Sequence, residues 1–565
     1  MSENNSSNNL TVTTSTVIRD QQRQQKMNDQ LEKKQENDLN DCVSEHDDPP
    51  VPHTRIEIIR YVTLILGIAL SVFVVALNST IVAPAMSIIA TELNAFQQQT
   101  WIATAYLVAV NSSQPLAGKF CDIFGRKPIL LAGQIFLLIG SIICATTPNI
   151  NGLIPGRTIQ GFGAGSIMSM AFIIVTDVTP VLWRPRIQSI LVAIYGLANV
   201  VGPLIGGAFV DKLSWRWDFW ITVILDGVAG LIVFILFHET TVVRKESILT
   251  KVKRIDFLGS IFSIGFITCL LLALSWGPQF GWNNGHVIGS FVASGVSLII
   301  LIFSEGWIAK EPLIPRHIIL NPSIALFFLN IMCLGLGFVG TLFFGPILFQ
   351  SVFGASSSES SIRLIPFMVC LILGSFISSF AMRRIPYPKL YIIIGSASNV
   401  LGYGLFQLLN ENSNWGKQAG FLTFCGLAAG LSQQNCILGV QATARKEDMP
   451  IATSLTNFLM LLASAIGVAV YQVLFSTFVT QQLKEVNPII LATAQSYGAL
   501  DNYLYIRNMP KDTQAPITHA YMNALNQVFL IPLVAAALSL ILALFMRNIH
   551  YGTPSSKTKP EDTNI

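Results

Sequence analysis

Long apolar runs alternate with short polar stretches from about residue 59 to residue 546 of this 565-residue chain. Most runs hold the ~20 apolar residues that an α-helix needs to cross the hydrocarbon core of a bilayer. Runs of this length favour helices over the strands of a barrel, so the pattern predicts an all-α integral membrane protein. We predict fourteen membrane spans, at 59–83, 100–117, 128–147, 152–176, 187–210, 217–237, 256–276, 286–306, 323–350, 360–381, 389–409, 418–441, 452–475 and 524–546.

The composition argues against a soluble protein. Hydrophobic residues make up 52% of the chain and charged residues only 12%, which is about half of the charged share in soluble domains. The chain carries no phosphate-cradling G-x-x-x-x-G-K-[ST] motif, so we do not expect ATP to drive it, and nothing in it resembles a soluble enzyme. The eight cysteines lack paired spacing and the few histidines form no cluster, so we expect no metal site and no cofactor.

Lysine and arginine are distributed unevenly between the two sets of loops. Seventeen lie in the loops after spans 2, 4, 6, 8, 10 and 12, and three (Lys212, Arg216 and Lys417) lie in the short loops on the other face. Positive residues concentrate on the cytosolic side of membrane proteins, so both termini are predicted to be cytosolic. The polar segment 1–55 buries too little apolar surface to fold, so we predict a disordered cytosolic tail there and a second cytosolic tail at 548–565.

A charged turn separates the second and third apolar runs. It is built around Gly118, Asp122, Gly125, Arg126 and Lys127, and it must lie at a membrane surface because apolar helices flank it. The glycines permit a tight connection, since glycine readily adopts positive φ. The carboxylate can approach the positive N-terminus of another helix, while the two basic residues face water and anionic headgroups.

This turn resembles the loop between helices 2 and 3 of the major facilitator superfamily, usually written G-x-L-a-D-r-x-G-R-[RK]. Other stretches resemble its branch of fourteen-span drug:proton antiporters, which has fungal drug, toxin and vacuolar amino-acid relatives, and the resemblance covers 61–547. It implies that the turn latches a cytosolic gate, and we expect Asp122 to cap the start of span 13 near Pro450.

The resemblance also implies a division of the chain into bundles. An N-terminal six-helix bundle is expected at 56–240 and a C-terminal six-helix bundle at 317–547. Between them, 241–316 would form a cytosolic loop and an inserted hairpin of linker helices 7 and 8. The C-terminal bundle would include a long non-cytosolic loop at 476–523, which mixes apolar and polar residues and is open to folding as short interfacial helices or a cap.

An arginine lies inside the fourth span. The stretch 155–165 resembles the family motif R-x-x-Q-G-x-G-x-G and places Arg157 about 7–8 Å inside the span by helix rise. A charge within a bilayer usually faces a partner or a cavity, although that depth also allows an arginine to extend to the interface. The family assigns this arginine to proton coupling, with Gln160 one turn further along.

The fifth span resembles the antiporter signature G-x-x-x-G-P-x-x-G-G, with Ala198 in place of its first glycine. Small residues at intervals of four make a smooth stripe that allows close helix contact, and the proline bends the helix. A packing stripe without any transport role would look similar. The small residues and proline that carry the signature are Gly196, Gly202, Pro203, Gly206 and Gly207.

Three positions depart from the family pattern. Asn78 replaces the aspartate that the family carries in its first span, so this residue can hydrogen-bond Arg157 but cannot exchange a proton, and Met460 replaces an arginine in span 13. Asp226 is an acid inside span 6, where an uncompensated carboxylate costs at least ~2.5–3.5 kcal/mol. It is either a relocated proton carrier or a buried structural residue, and the peripheral position of span 6 in this fold favours the second. Asp177 is expected to be a solvated interfacial residue.

Polar residues within the central spans are candidates for lining a substrate cavity. Apart from Arg157, few charges lie deep in these spans, which suits an amphipathic, neutral or weakly cationic solute. Some of these amides must instead hold helices together. The candidates are Asn78, Gln114, Gln160, Asn199, Asn330, Gln434 and Asn435.

These observations predict a secondary active transporter that moves a small organic solute (a drug, toxin or amino acid) by proton-coupled antiport and alternating access. The expected partners are that solute, protons and the lipid bilayer, with no nucleic acid and with a monomeric chain. The expected location is the plasma membrane or the vacuolar membrane. The alternative is an uncoupled facilitator or a non-transporting membrane sensor, because Asn78 and Met460 remove groups that the family uses.

Overall fold

The computed structural model of this chain describes residues 54–95, 98, 101–237, 251, 254–309, 311–445, 447–486, 489, 490, 492, 496 and 509–551. The predicted tails lie outside the described residues except for 54–55 and 548–551. Polar side chains define several helix starts. Thr54 and Glu57 form a reciprocal capping box at the first helix, and the Asn149 side chain accepts from the Gly152 amide at 2.9 Å to cap the fifth.

The described residues are predominantly α-helical. A short 3₁₀ turn precedes α6 at Val181–Trp183, and π-helical turns follow α9 and α11 at Ser304–Ile308 and Gly340–Phe344. The α-helices are α1 (Arg55–Thr80), α2 (Met86–Glu92), α3 (Trp101–Phe124), α4 (Arg126–Thr146), α5 (Ile150–Val178), α6 (Arg184–Lys212), α7 (Trp217–Leu236), α8 (Phe257–Phe280), α9 (Gly285–Phe303), α10 (Arg316–Ile319), α11 (Pro322–Val339), α12 (Gly345–Ser351), α13 (Ser357–Arg363), α14 (Ile365–Ala381), α15 (Pro388–Phe406), α16 (Trp415–Thr443), α17 (Met449–Val486), α18 (Lys511–Val528) and α19 (Leu530–Phe545).

Within the described residues, eleven helical segments are long and apolar enough to cross a membrane. Three further long helices, α3, α15 and α16, lie among them but do not meet that criterion because they carry more polar residues; α16, for example, contains 432–435 with the sequence Ser-Gln-Gln-Asn. The all-α membrane architecture is therefore confirmed, and the count of fourteen spans stays a prediction.

The predicted loop at 476–523 is helical at both of its ends. Helix α17 continues to Val486 and α18 begins at Lys511, so the described ends of this segment are helical, in keeping with the helical alternative. Helices α17 and α18 pack against each other, with the ring centres of Phe475 and Tyr521 5.6 Å apart. Their surfaces carry many polar residues, and for this reason an apolar-run analysis ended the spans too early.

The helix pairings of the first half recur in the second. Helix α1 packs on α6 and α7, while α3 and α4 pack on α5 and α4 also contacts α7. In the same way α11 packs on α17 and α19, while α14 and α15 pack on α16 and α15 also contacts α19. The halves meet mainly through α3 with α17 and α6 with α14, and α8 and α9 form a hairpin whose first helix lies against α3 and α17. Such internal repeats are a common basis of transporter folds, and the predicted domain boundaries remain a prediction.

Candidate functional site

The charged turn between α3 and α4 is held by a glycine and two ion pairs. Gly125 has a φ of 98°, in the left-handed region that favours glycine, and it stands immediately before α4. The Nε of Arg126 donates to Oδ2 of Asp177 at 2.8 Å, and its Nη1 lies 3.9 Å from Asp122. Asp177 is therefore a partner of the turn and not merely a solvated residue. The ion pairs tie the end of α3 to the end of α5.

The expected cap by Asp122 is not formed. Among the described residues, no hydrogen bond joins its carboxylate to the start of α17, and its side chain instead accepts a long contact from the Cys121 thiol at 3.8 Å. Lys127 lies on the other side of the turn, where its Nζ donates to the Phe234 carbonyl at 2.7 Å. The turn therefore braces its own half of the molecule.

The end of α3 touches α17 directly at Gly118. A Cβ atom added there would lie 2.7 Å from Cβ and 2.8 Å from Oγ of Ser454, closer than side chains approach each other. The same serine donates to the carbonyl of Gln114 at 3.1 Å. The Gln114 side chain is buried, and neither of its polar atoms has a hydrogen-bond partner within the part of the chain that the structure describes.

Two glutamines join the halves in the same region. Gln441 Nε2 donates to Thr176 at 2.9 Å and to Thr453 at 3.3 Å, and its Oε1 accepts from Gln188 at 3.0 Å. Gln434 Oε1 accepts from the Ser189 hydroxyl at 2.5 Å. We call the buried residues of this contact the gate cluster: Gln114, Gly118, Thr176, Gln188, Ser189, Gln434, Gln441, Thr453 and Ser454.

The gate cluster occupies the side of the bundle that the loop charges predict to be cytosolic. Because its groups pair between the two halves, the molecule is closed at that end in this structure. Gln114 and Gln434 were predicted to be cavity residues, and the structure places both in this closed contact. Asn199 lies further along α6 and outside the gate cluster, and its side-chain oxygen accepts a hydrogen bond from the Ser79 hydroxyl at 3.4 Å.

Arg157 is 1% exposed and lies at the centre of a buried network in the first half. Its Nε donates to the Ile102 carbonyl at 2.9 Å, one Nη donates to Gln160 Oε1 at 2.7 Å, and the other Nη donates to the Asn78 carbonyl at 3.4 Å. The guanidinium lies 4.3 Å from the centre of the Tyr106 ring, within range of a cation–π contact. The arginine therefore does not extend to the membrane interface.

The side chains of Asn78 and Gln160 extend this network across four helices. Gln160 Nε2 donates to Asn78 Oδ1 at 2.9 Å and to Ser141 Oγ at 2.7 Å. The Thr222 hydroxyl on α7 donates to the same Asn78 oxygen at 3.2 Å. The two predicted cavity residues are thus brought together with Arg157 inside the N-terminal half.

Two buried acids lie on the helix that carries Thr222. Asp218 is fully buried in the first turn of α7 and Asp226 is 1% exposed, about 12 Å further along by helix rise. Among the described residues, none of the four carboxyl oxygens accepts a hydrogen bond. The Arg157 guanidinium reaches Ile102 near the start of α3, so it points toward the end of α7 that holds Asp218 and away from Asp226.

The small residues of α6 serve two different contacts. Side chains at Gly202 and Gly206 would collide with Thr80 and with the Ile81 carbonyl, so both glycines allow α6 to approach the end of α1. Gly196 faces Leu371 of the other half, where an added Cβ would make an ordinary contact at 3.5 Å. Pro203 lies inside α6, and a Cβ at Gly207 would meet nothing within 4 Å.

The remaining cavity candidates lie within the second half. Asn330 on α11 donates to the carbonyl and the hydroxyl of Ser539 on α19, both at 2.9 Å, and accepts from the Cys436 thiol. Asn435 is fully buried and donates to the Leu431 carbonyl of its own helix at 2.7 Å. Asn330 therefore holds helices of one bundle together, which is the structural role that intramembrane amides often have.

A loop that joins α9 to α10 is clamped to the same face as the gate cluster. Glu311 lies 3.3 Å from Lys119 of α3 and 2.8 Å from Arg254, which precedes α8. The hydrogen bond from Arg254 holds the pKa of the Glu311 carboxyl below its usual range, and the charge of Lys119 acts in the same direction. The linker hairpin is thus attached to α3 by charge.

We expect the Glu311 clamp to stabilise the protein at neutral pH and to fail in acid. Because its pKa is lower in the folded state, its contribution is complete above the ordinary glutamate pKa and is lost as the pH falls through the folded value. Glu311→Gln should lower the thermal midpoint slightly at neutral pH, by an amount that matches an exposed ion pair of about 1 kcal/mol or less. Tryptophan fluorescence melts should converge with wild type in acid. Exposed Glu447→Gln is the control, and a difference that persists unchanged in acid would contradict the clamp.

Comparison with known proteins identifies the class. Residues 68–468 match the model of the Major Facilitator Superfamily. The chain is 31% identical over 499 residues to the MFS-type transporter ptmT of Penicillium ochrochloron, an alignment that covers 87% of this chain and 86% of that protein. It is also 31% identical over 496 residues to the aspyridones efflux protein of Neocamarosporium betae, covering 86% and 87% of the two chains.

The fold comparison agrees. The crystal structure of the human organic anion transporter MFSD10 superposes with a TM-score of 0.52 at 14% identity, covering 84% of this chain and 99% of that one. At that identity the likeness concerns the fold alone. The chain belongs to the Major Facilitator Superfamily. It is a multi-pass membrane protein that transports a small molecule, and it is a transporter and not an enzyme.

Proposed function

We propose that this protein exports a small organic solute from the cytosol, or sequesters it in the vacuole, in exchange for protons. The observation that carries the proposal is Arg157, a fully buried cation in a half whose interior also holds the acids Asp218 and Asp226, whose carboxyl oxygens accept no hydrogen bond among the described residues. Buried ionisable groups in a membrane are costly and are typical of ion pathways. A carboxyl that changes protonation during the cycle would couple proton entry to solute exit.

Alternating access supplies the mechanism. The structure is closed at the gate cluster, so the solute site would open to the side opposite the cytosol in this state. Separation of Gln441 from Gln188 would then open the cytosolic side. The class of solute follows from the polar and nearly uncharged residues of the central helices, which suit an amphipathic, neutral or weakly cationic molecule. Relatives named as efflux pumps or efflux proteins support export of organic compounds.

Reconstituted vesicles test proton-driven export. Full-length protein with its cytosolic face outward is placed in vesicles that are acidic inside, and uptake of ethidium (an amphipathic cation) and of radiolabelled lysine is followed. Accumulation of either probe above its outside concentration, abolished when an ionophore dissipates the pH gradient, is the expected result. Equilibration without accumulation would indicate a facilitator, and no movement of either probe would reject both solute classes.

The facilitator alternative rests on Asn78, which cannot titrate. We predict that a variant comparison in the same vesicles separates the alternatives. If Asp226 is the carrier, Asp226→Asn should abolish accumulation and leave exchange of internal for external probe intact. Full accumulation by Asp226→Asn would show that Asp226 is not the proton carrier. If Asn78→Asp creates gradient dependence that the wild-type protein lacks, the native protein is the facilitator.

We also predict that both termini lie in the cytosol. Single cysteines replacing Gln30 and Ser555, in a background without other cysteines, should react with a membrane-impermeant maleimide only after the membrane is permeabilised. A cysteine in place of exposed Lys417, in a loop predicted on the other face, serves as the positive control. Labelling of position 30 or 555 from outside intact cells, or from the vacuole lumen, would contradict the orientation. Microscopy of the tagged protein would decide between plasma membrane and vacuole.

A further inference from the structure

Asp218 is the acid whose charge acts on Arg157, and the sequence pattern does not reveal it. Asp218 precedes Phe219, whose ring centre lies 5.9 Å from the Arg157 guanidinium carbon. The opposite charges of Asp218 and Arg157 lie in the same buried region and act on each other, although no ion pair within 4.0 Å is formed between them. Asp218 therefore faces the positive charge without being neutralised by direct contact.

Thr222 joins the main chain at Asp218 to the side chain of Asn78, which occupies the position of the missing family acid. The Thr222 hydroxyl lies 3.1 Å from the Asp218 carbonyl and 3.2 Å from Asn78 Oδ1. The Asn78 carbonyl in turn accepts from Arg157. Positions 78 and 218 therefore lie on two different helices that both border the Arg157 network.

The far side of Asp218 is covered by a small polar lid. Glu92 of α2 accepts from Trp215 Nε1 at 2.8 Å and from Arg216 at 3.1 Å, and Arg216 also donates to the Thr147 carbonyl. Trp215 is 2% exposed, whereas half of the Glu92 side chain is in water. The lid lies at the end of the bundle opposite the gate cluster, next to the start of α7 where Asp218 is buried.

We propose that Asp218 is the acid that takes up and releases a proton beside Arg157, in place of the first-span carboxylate that Asn78 lacks. This inference rests on the proposed proton coupling. Asp218 gains one proton from water beyond the lid and becomes a neutral acid, which leaves the charge of Arg157 uncompensated. It returns to carboxylate when that proton leaves to water on the cytosolic side. No other bond changes.

The titratable and charged groups of this region come from several helices. Arg157 on α5 is the one charged side chain with a resolved effect on it among the described residues. Glu92 and Arg216 form the lid, and Tyr106 of α3 and Cys144 of α4 surround the guanidinium. Asp226 lies two turns away on the same helix, beyond Thr222, on the side of Gly230 and Gln134. Arg157 is therefore the charged neighbour whose balance a proton on Asp218 would change.

Infrared difference spectroscopy tests the assignment without a known solute. Spectra of the full-length protein in vesicles are compared between alkaline and acidic buffer. The wild type should show a carboxylic acid C=O band at the high frequency typical of an acid without hydrogen bonds. Asp218→Asn should lose this band, while Asp226→Asn and Asp211→Asn, an exposed aspartate on α6, should retain it. An unchanged band in Asp218→Asn, or loss only in Asp226→Asn, would overturn the proposal.

A double variant that moves the acid from position 218 to position 78 provides the second test. Asp218→Asn combined with Asn78→Asp returns an acid to the guanidinium, so the titrating band should reappear and gradient-driven accumulation of the vesicle probe should recover. Circular dichroism and gel filtration establish that each variant is folded. Loss of the band in Asp218→Asn with no gradient-driven transport by wild type would refute proton coupling and leave the assignment standing. Gradient-driven transport that survives Asp218→Asn undiminished would refute the assignment alone.

Discussion

Replacement of Gly118 by alanine is expected to open the gate cluster. The new Cβ would lie 2.7 Å from the Cβ of Ser454, so either α3 or α17 must move. Overpacking of a close contact costs about 1–3 kcal/mol, and here the cost falls only on the closed conformation. The ratio of open to closed molecules should therefore rise by a factor of about 5–150, since about 1.4 kcal/mol corresponds to tenfold.

Spin-label distances measure this shift. Labels at Trp183 and Arg445, both exposed and in different halves, should report a longer distance in Gly118→Ala than in the parent protein. Gly207→Ala is the matched control, because a Cβ there meets nothing within 4 Å. Ser454→Gly removes the opposing side chain and should restore the short distance in the double variant. A distance distribution that Gly118→Ala leaves unchanged, or that Ser454→Gly fails to restore, would show that this contact does not close the gate.

The hydrophobic pattern predicts the helices well because a span must present apolar side chains to lipid along its whole length. It fails where a helix leaves the bilayer, as in the polar continuation of α17 to Val486, since water and a neighbouring helix replace lipid there. It also cannot foresee α2, a seven-residue helix whose Glu92 covers the end of the N-terminal bundle. Both depend on tertiary contacts that a local pattern does not contain.

The candidate site also has a part that the local sequence predicts and a part that it does not. Arg157 and Gln160 are recognisable from local spacing, whereas the partners that fix them come from other helices. Gln188 and Gln441 meet across 253 positions of sequence, and nothing near either residue indicates the other. Asp218 has the sequence context of an acid at a helix start facing water, where it would favour the helix dipole. In the folded protein Asp218 is fully buried, which the local sequence does not indicate.

Removal of Arg157 is expected to have the largest effect of any single substitution. Arg157→Ala leaves the Ile102 carbonyl and Gln160 Oε1 without their donor, and each unsatisfied buried group costs about 1–3 kcal/mol. It also leaves Asp218 without its compensating cation. The thermal midpoint should fall markedly and gradient-driven transport should be lost, whereas Arg383→Ala, at an exposed arginine, should stay within about 0.5 kcal/mol of wild type.

A double-mutant cycle then isolates the charge from the packing. If Asp218 and Arg157 compensate each other, Asp218→Asn should be less harmful in the Arg157→Ala background than in the wild type. In that background the substitution removes an acid that has already lost its cation. The expected non-additivity for coupled neighbours is about 0.5–3 kcal/mol, measured from thermal midpoints of detergent-purified protein. Arg157→Lys retains the charge but not the planar fork that reaches three acceptors, so it should preserve more stability than alanine without restoring transport. Strict additivity of the two single effects would mean that Arg157 organises the bundle through its hydrogen bonds alone.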